Sequence, residues 1–374
     1  MILFTYIILF VILIYALVIL AFATGWVKIK TFTSKTTYQY PKVSIVIAFR
    51  NEEENISQLL HSLFAQTYPK DKTEIILVDD HSSDNTVEII ESNTDFAIQL
   101  VKLPENQTGK KAALAYGINL STAEIIITTD ADCTMSENWV LSLVNYYLIN
   151  KPKLLVAPVL FSPAKSMFQK FQSLEFLSLI GSGAGAIGIG RPIMCNGANL
   201  LFEKSLYESA LLENNYVSGD DIFLLLSAKK KHRKEILFIK SADALVYTKP
   251  TQTINDFFKQ RIRWTSKSKA YRDFDIVFTA ISVAFTNLML AFTLIASAFN
   301  REFLFYFLVM FLIKSIADIM LLVPVTLFFK QQNLMWWFVA LQTIYPFYIV
   351  FTTLAGIFGK FTWKSRSFGL NQYF

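Results

Sequence analysis

The sequence predicts an α/β protein with a doubly wound, mostly parallel sheet and with transmembrane helices at both ends of the chain. Between residues 42 and 270, short apolar runs alternate with segments whose apolar residues recur at helical spacing. Such alternation builds parallel sheets, because each crossover helix returns the chain to the same sheet edge. Across all 374 residues 53% are apolar, more than in most soluble proteins, and long uncharged runs lie near both ends.

Four segments are long and apolar enough to cross a bilayer, which takes about 20 residues. They are residues 2–27, 276–300, 303–329 and 334–359. The first imitates a signal peptide at Ala21-Phe22-Ala23, but it is too long and no basic residues precede it, so we expect a membrane anchor. In the third, Lys314 and Asp318 stand four apart on one helical face and are expected to pair.

The charges beside these segments predict their orientation. Basic residues follow the first segment and precede the second, which places residues 42–270 in the cytoplasm by the positive-inside rule. Three further crossings put the C-terminus outside, which conflicts with the basic residues of the tail. The sequence leaves open that one of the last two segments is re-entrant or interfacial, with Pro324 and Pro346 as break points.

The net charge of +6 lies mostly in these flanking lysines and arginines, which argues against a nucleic-acid-binding surface. The densest basic run, residues 229–234, is expected at a solvated helix end or against anionic lipid. Cys133 and Cys195 have no spacing typical of a disulfide framework, and neither the cysteines nor the three histidines have zinc-ligand spacing.

The alternating segments begin with a strand at 43–49 and an amphipathic helix at 56–64. Further strands are expected at 74–78, 98–103 and 124–129, with helices capped at Ser82-Ser83-Asp84 and over 111–120. Three polar clusters close the first, second and fourth strands: Arg50-Asn51-Glu52, Asp79-Asp80 and Asp130-Ala131-Asp132. Because open α/β sheets bind ligands beyond the carboxyl ends of their strands, these clusters are expected at one edge.

Two of these acids suggest a metal site. Asp130 and Asp132 point to the same side of an extended segment, and such oxygen ligands suit Mg²⁺ or Mn²⁺ bridging the oxygens of a diphosphate. A polar strand end without a metal is the alternative. Gly109 and Lys110 begin the next helix, where amides and an ammonium group would suit phosphate, although a solvated basic turn fits equally well.

Asp220 and Asp221 stand before an uncharged apolar run at 222–226. Adjacent carboxylates repel, and burial raises the pKa of one of them towards the range of a general base. A helix cap is the alternative, particularly for Asp220. The glycine-rich run 181–190 lacks the residues of a P-loop and is a weak phosphate candidate, and residues 165–180 before it suit an interfacial helix.

In this order, the motifs resemble those of membrane-embedded family-2 glycosyltransferases, the group that contains cellulose, chitin and hyaluronan synthases and ceramide glucosyltransferase. The motifs are residues 43–52, Asp79-Asp80, Asp130-Ala131-Asp132, Gly219-Asp220-Asp221 and Gln260-Arg261-Ile262-Arg263-Trp264. The resemblance implies a GT-A-like domain over 42–270 between a helix at 1–27 and about three helices over 274–359, with a tail at 360–374. It implies a multi-pass protein of the plasma or inner membrane with a cytoplasmic catalytic domain.

The resemblance also implies residue roles. Asp79 or Asp80 would bind the base and ribose of a nucleotide sugar, UDP-linked, with Glu52 and Lys110 nearby. Asp132 would bind Mg²⁺ or Mn²⁺, helped by Asp130, which would also contact the sugar or ribose. Asp221 would be the catalytic base. Gln260, Arg263 and Trp264 would close over the diphosphate and the acceptor, with Arg263 neutralising the leaving group. Asp220 and Cys195-Asn196-Gly197 would face the acceptor.

The implied reaction is an inverting transfer from a nucleotide sugar to a lipid or short glycan, and a processive polysaccharide synthase is the alternative. Four helices favour the smaller acceptor. A non-catalytic protein that binds anionic lipid would explain the basic runs but not the acids at the strand ends. On a helix, Gln260, Arg263 and Trp264 share one face, which leaves Arg261 for the membrane side. The chain departs from the family pattern at Asp220, usually Glu, and at Ala115, often Asn.

Overall fold

The computed structural model describes residues 2–33, 39–93, 98–213, 220–266, 271–358, 361–363 and 366–368. Within these ranges, residues 211–213, 220, 358, 361–363 and 366–368 are described by their backbone only. The chain divides into two compact units. The sheet unit comprises Ile29–Ser162 and Met194–Lys249, and the helical unit comprises Met1–Lys28, Pro163–Ile193 and Pro250–Phe374.

The sheet unit contains ten described strands and six described α-helices. The strands are β1 (Val43–Phe49), β2 (Thr73–Asp79), β3 (Ile98–Lys102), β4 (Ile125–Thr128), β5 (Thr134–Met135), β6 (Leu154–Val156), β7 (Val159–Phe161), β8 (Leu200–Glu203), β9 (Ile236–Phe238) and β10 (Val246–Thr248). The helices are α2 (Ile56–Phe64), α3 (Thr86–Glu91), α4 (Lys110–Leu120), α5 (Trp139–Asn150), α7 (Lys204–Glu213) and α8 (Asp220–His232).

Seven strands form one sheet in the order β3-β2-β1-β4-β8-β6-β9. The first four are parallel, β8 is antiparallel to β4 and β6, and β9 is parallel to β6. All seven residues of β1 are buried, as expected for a central parallel strand covered on both faces. The mostly parallel α/β sheet is therefore confirmed, and the predicted strands at its front half match within one residue at each end.

A second sheet, in the order β5-β10-β7, brings the end of β10 close to the segment after β4. The sequence did not predict this sheet, because its strands are only two or three residues long. It matters for the site, since Thr248 at the end of β10 lies beside Asp132.

The predicted cap at Ser82-Ser83-Asp84 is only partly right. Helix α3 begins at Thr86, after Asn85, whose side chain makes no capping bond. Asp84 accepts from the Thr86 amide at 3.1 Å and also from the Glu53 amide at 3.1 Å. The Asp84 carboxylate therefore joins the loop after β2 to the loop after β1, and it also binds the first backbone amide of α3.

The helical unit contains α1 (Ile2–Lys28), α6 (Met167–Gly188), α9 (Ile254–Ser266), α10 (Phe274–Ala296), α11 (Glu302–Phe328) and α12 (Phe338–Phe358), followed by the short strands β11 (Phe361–Trp363) and β12 (Arg366–Phe368). Four helical segments in the described part are long and apolar enough to span a bilayer: Ile2–Lys28, Phe274–Ala296, Glu302–Phe328 and Gln332–Ile357. These are the four segments that the sequence predicts. Helices α11 and α12 continue through Pro324 and Pro346, so the two prolines are not break points.

The predicted pair inside the third segment is confirmed. Lys314 donates to Asp318 at 2.7 Å and to the Gln342 side chain at 2.7 Å. Tyr15 of α1 donates to the other carboxylate oxygen of Asp318 at 2.7 Å. The buried charges are thus hydrogen-bonded across α1, α11 and α12, as an apolar environment requires.

The glycine-rich run is part of a helix and is not a phosphate loop. Helix α6 contains most of it, and its last turns pack closely on α1. A Cβ atom built on Gly25 would lie 1.9 Å from the carbonyl oxygen of Gly185, and one built on Gly185 would lie 2.1 Å from that of Phe22. The two backbones are therefore in direct contact, as at the small-residue interfaces of membrane helices.

We expect Gly185→Ala to destabilise the protein by about 1–3 kcal/mol, because the added methyl group must separate two backbones. In a helix free of such contact, the same change would stabilise by roughly 1 kcal/mol. Thermal unfolding in detergent measures the sign. Ser182→Ala on the same helix is the control and should change the midpoint little, and a higher midpoint for Gly185→Ala would contradict the close packing.

Candidate active site

The acids at the end of β2 lie at the predicted edge and are buried, with 5% of Asp79 and 2% of Asp80 exposed. Asp79 accepts from the Ser82 amide at 2.8 Å, and Asp80 accepts from the Gly109 amide at 3.0 Å. Gly109 has a φ of 97°, in the region that favours glycine, and Lys110 follows it as the first residue of α4. Asp80 therefore holds the turn that presents Lys110.

Lys110 connects this turn to the acids after β4, since its ammonium lies 2.5 Å from a carboxylate oxygen of Asp130. About a third of each side chain is exposed, so both can reach a ligand. Asp132 accepts from the Thr248 hydroxyl at 2.9 Å. Burial, followed by the charges of Asp130 and Glu52, raises the pKa of Asp132 above its ordinary value.

Glu52 is held at this edge by a chain of hydrogen bonds. Its amide donates to the Thr86 hydroxyl at 2.8 Å, and Asn55 donates to its carboxylate at 2.6 Å. Lys249, directly after β10, donates to the oxygen of the Asn55 side chain at 2.5 Å. The loop after β1 and the end of β10 are thus tied together beside the acids.

These residues suit a divalent cation that takes most of its ligands from a substrate. Among the described residues, no three His, Cys, Asp or Glu side chains come together as a complete metal cage. Asp130, Asp132 and Glu52 nevertheless place negative charge together, and burial, followed by repulsion from these neighbours, raises the pKa of Asp132. A cation shared with a diphosphate and water would relieve it, in keeping with the way that Mg²⁺ is bound by one or two carboxylates.

A second group of predicted residues meets at the start of α8. The Gly197 amide donates to a carboxylate oxygen of Asp221 at 3.4 Å, and the Cys195 thiol donates to the Asp221 carbonyl at 3.2 Å. A Cβ atom on Gly197 would lie 3.3 Å from that of Asp221. The structure therefore brings the predicted base against the predicted acceptor loop. Ser218, Gly219 and the side chain of Asp220 lie outside the described residues.

Asn199 anchors the acceptor loop and was missed by the sequence reasoning. It is fully buried, donates to the carbonyls of Pro158 and Ala244 at 2.8 Å each, and accepts from the Trp139 indole at 3.0 Å. In the sequence, Asn199 is marked only by its position directly before the apolar residues of β8. Three long-range bonds to one side chain cannot be inferred from that position.

Gln260, Arg263 and Trp264 lie in α9 of the helical unit and are each partly exposed. The expectation that Arg261 faces the membrane is wrong: only 2% of its side chain is exposed, and it is paired with Glu175 of α6 at 2.5 Å. The predicted closure of α9 over a diphosphate stays a prediction, because this helix and the acids belong to different units.

Comparison with known proteins confirms the resemblance drawn from the motifs. Residues 44–208 match the family model described as Glycosyl transferase family 2. The poly-beta-1,6-N-acetyl-D-glucosamine synthase of Staphylococcus epidermidis is 32% identical over 240 residues, covering 60% of this chain and 54% of the relative. The enzyme of the same name from Staphylococcus aureus strain COL is 30% identical over 240 residues, covering 59% of this chain and 53% of the relative. The chain thus spans about half the length of these curated relatives.

The fold is also similar to that of a solved structure, the mannosyltransferase PcManGT from Pyrobaculum calidifontis in complex with GDP-Man and Mn²⁺. The TM-score is 0.53, the identity is 19%, and the match covers 84% of this chain and 95% of the other. This similarity supports the GT-A-like fold.

Proposed function

We propose that this chain, which carries a glycosyl transferase family 2 domain and four helices able to span a bilayer, is a membrane-bound inverting glycosyltransferase that uses a UDP-linked sugar. The observation that carries the proposal is that the sheet unit contains both predicted clusters, the donor and metal residues and the catalytic base with its acceptor loop. Asp130 and Asp132 stand with Lys110 at the sheet edge, and Asp221 stands against the loop at 195–197. In this proposal the sheet unit is cytoplasmic.

The donor binds along the carboxyl edge of the parallel strands. Asp79 and Asp80 stand nearest to the base and ribose, and Lys110 is aimed at the phosphates. Asp132, with Asp130, would hold Mg²⁺ or Mn²⁺, which supplies positive charge to the diphosphate when bound. The names of the relatives suggest N-acetylglucosamine as the sugar.

In the reaction, Asp221 removes the proton from an acceptor hydroxyl as its oxygen attacks the anomeric carbon. The bond from that carbon to the diphosphate oxygen breaks, and the electron pair leaves with the nucleoside diphosphate. Arg263 and Lys110 neutralise the charge that develops there. A single displacement inverts the anomeric carbon. The leaving group is stabilised by cations, whereas a glycoside hydrolase needs a carboxylic acid to protonate it.

The acceptor we favour is a growing glycan, because both relatives are named as synthases of a polysaccharide. A lipid acceptor is the second candidate, supported by the small number of membrane helices for a chain that exports polymer. A non-catalytic lipid-binding protein accounts for the exposed Lys230 and Lys231 at the end of α8, but it gives no reason for the acids around Asp132.

Membranes that contain the full chain, given radiolabelled UDP-N-acetylglucosamine with Mn²⁺, distinguish these acceptors. We expect the label in a ladder of high-mass, water-soluble product. Label that partitions into chloroform would assign a lipid acceptor instead. Membranes without the chain are the control, and equal incorporation by those membranes would contradict transfer by this protein.

A further inference from the structure

Arg261 lies inside the Gln260–Trp264 motif and makes a buried ion pair with Glu175. Both side chains are 2% exposed. The Nε and Nη2 groups of Arg261 donate to the two carboxylate oxygens of Glu175, at 3.1 and 2.5 Å. Two parallel bonds from a planar guanidinium fix the direction of the side chain as well as its position.

The same guanidinium also contacts two residues of the predicted catalytic face. Its Nη1 group donates to the side-chain oxygen of Gln260. Its central carbon lies 4.4 Å from the ring centre of Trp264, and 4.5 Å from that of Phe257 on the preceding turn. Arg261 therefore contacts and orients Gln260 and Trp264, which helical spacing groups with Arg263 on the predicted catalytic face.

Glu175 joins three helices at one buried carboxylate. It belongs to α6, it accepts from Arg261 of α9, and it accepts from the Tyr348 hydroxyl of α12 at 3.1 Å. The ring of Tyr348 also packs against that of Phe257, with centres 5.4 Å apart. Rotation of α9 about its axis, or sliding along it, would break hydrogen bonds in this cluster. The carboxylate therefore fixes both the rotation of α9 and its position along its axis.

A buried ion pair is weak evidence for stability, because removing two charges from water costs about as much as their attraction returns. Apolar residues of similar volume would pack these helices as firmly. The pair has a feature that apolar packing lacks, since its hydrogen bonds are satisfied in a single register. Because Arg261 contacts Gln260 and Trp264, the register of α9 also determines where these two predicted site residues lie.

We propose that Glu175 is a positioning residue: acting through Arg261, it sets the register of α9 and thereby the placement of Gln260, Arg263 and Trp264 for the transfer reaction. This inference rests on the proposed function for its kinetic consequence. The residues predicted to bind the base, the ribose and the metal belong to the sheet unit, whereas Arg263 is predicted to act on the charge that develops on the leaving diphosphate. Loss of the pair should therefore lower kcat far more than it raises the KM for the donor.

Kinetics of the full chain in membranes test the inference. We expect Glu175→Gln to lower kcat about 100-fold, the scale of a roughly 1 Å misplacement, with the donor KM changed less than about threefold. Glu203→Gln is the matched control, because Glu203 pairs with Lys153 in the sheet unit and should keep the wild-type kcat.

A second variant separates positioning from folding. Glu175→Leu with Arg261→Met and Tyr348→Phe replaces the pair, and the hydroxyl that donates to it, by apolar groups of similar size. We expect this variant to fold with a wild-type melting midpoint but to remain about 100-fold slower. A wild-type kcat in this variant or in folded Glu175→Gln would overturn the inference.

If the wild type transfers no sugar, that result counts against the proposed function alone. A measurement that needs no turnover then tests the positioning role of Glu175. In a Cys195→Ser background, Arg263→Cys reports the exposure of the catalytic face through its rate of labelling by a charged maleimide. We expect Glu175→Gln to change that rate at least threefold. An unchanged rate would contradict the positioning role, whatever the activity.

Discussion

Asp221→Asn is expected to lower kcat by about 10³-fold, within the range that a positioned general base contributes. An amide cannot take the proton from the acceptor hydroxyl. It keeps the shape of the carboxylate, and its oxygen can still accept from the Gly197 amide, which lies 3.4 Å from Asp221. The acceptor loop should therefore stay in place. Initial rates of label transfer at saturating donor measure kcat, and the binding of UDP by calorimetry should remain within about threefold of the wild type.

The control for this variant is Asp71→Asn. Asp71 lies in the same unit, and its side chain is 75% exposed. Among the described residues it makes a single ion pair, with Lys72, at a long distance of 3.8 Å. It should behave as the wild type. If Asp221→Asn kept full turnover, Asp221 would not be the base, and the acceptor site would have to lie elsewhere.

Asp132→Asn is expected to have two opposite effects. It should lower kcat/KM by at least about 10²-fold, because the charge that the metal supplies to the diphosphate is worth several kcal/mol. Without metal at neutral pH, it should raise the melting midpoint. Burial and the neighbouring acids raise the pKa of Asp132, so its ionised form is less favourable in the folded chain than in the unfolded chain.

The sign follows from proton binding. Between the ordinary pKa of an aspartate and the raised value, the folded chain holds more protons than the unfolded chain, so this group lowers stability as the pH rises through that window. Above the window the whole penalty is present, and the neutral amide removes it. The gain in midpoint should thus disappear in strongly acidic buffer.

Titration with Mn²⁺ tests whether Asp132 binds the metal. The midpoint of the wild type in the presence of UDP should rise with Mn²⁺, because a ligand that binds only the folded state stabilises it. The midpoint of Asp132→Asn should respond little. Equal responses of the two proteins would remove Asp132 from the metal site, and Asp71→Asn again serves as the control.

The front half of the sheet is predictable because its signals are local. β1 is a seven-residue apolar run buried on both faces, and the apolar residues of α2 recur at helical spacing. The order of strands and helices then places Asp80 and Asp130 at one edge, where the amide of Gly109 donates to Asp80 and the adjacent Lys110 pairs with Asp130. Topology alone was enough for that part of the site.

The rest depends on contacts between distant parts of the chain. Helical periodicity predicts that Arg261 turns away from Gln260 and Trp264, but its guanidinium contacts both. The spacing also could not show that Glu175, 86 residues earlier, pairs with Arg261. The glycines of α6 resembled a loop because their packing partner, Gly25, lies in α1. Asn199 and Thr248 act through bonds that no spacing in the sequence encodes.

Release of nucleoside diphosphate from a panel of nucleotide sugars, with and without Mg²⁺ or Mn²⁺, tests the central claim most directly. Membranes that contain the wild-type chain should release UDP from one UDP-sugar, only with the divalent cation present, and Asp221→Asn and Asp132→Asn should each reduce that release at least about 100-fold. Equal release by the wild type and both variants, or none from any donor in the panel, would contradict the assignment of this edge as a glycosyl-transfer site.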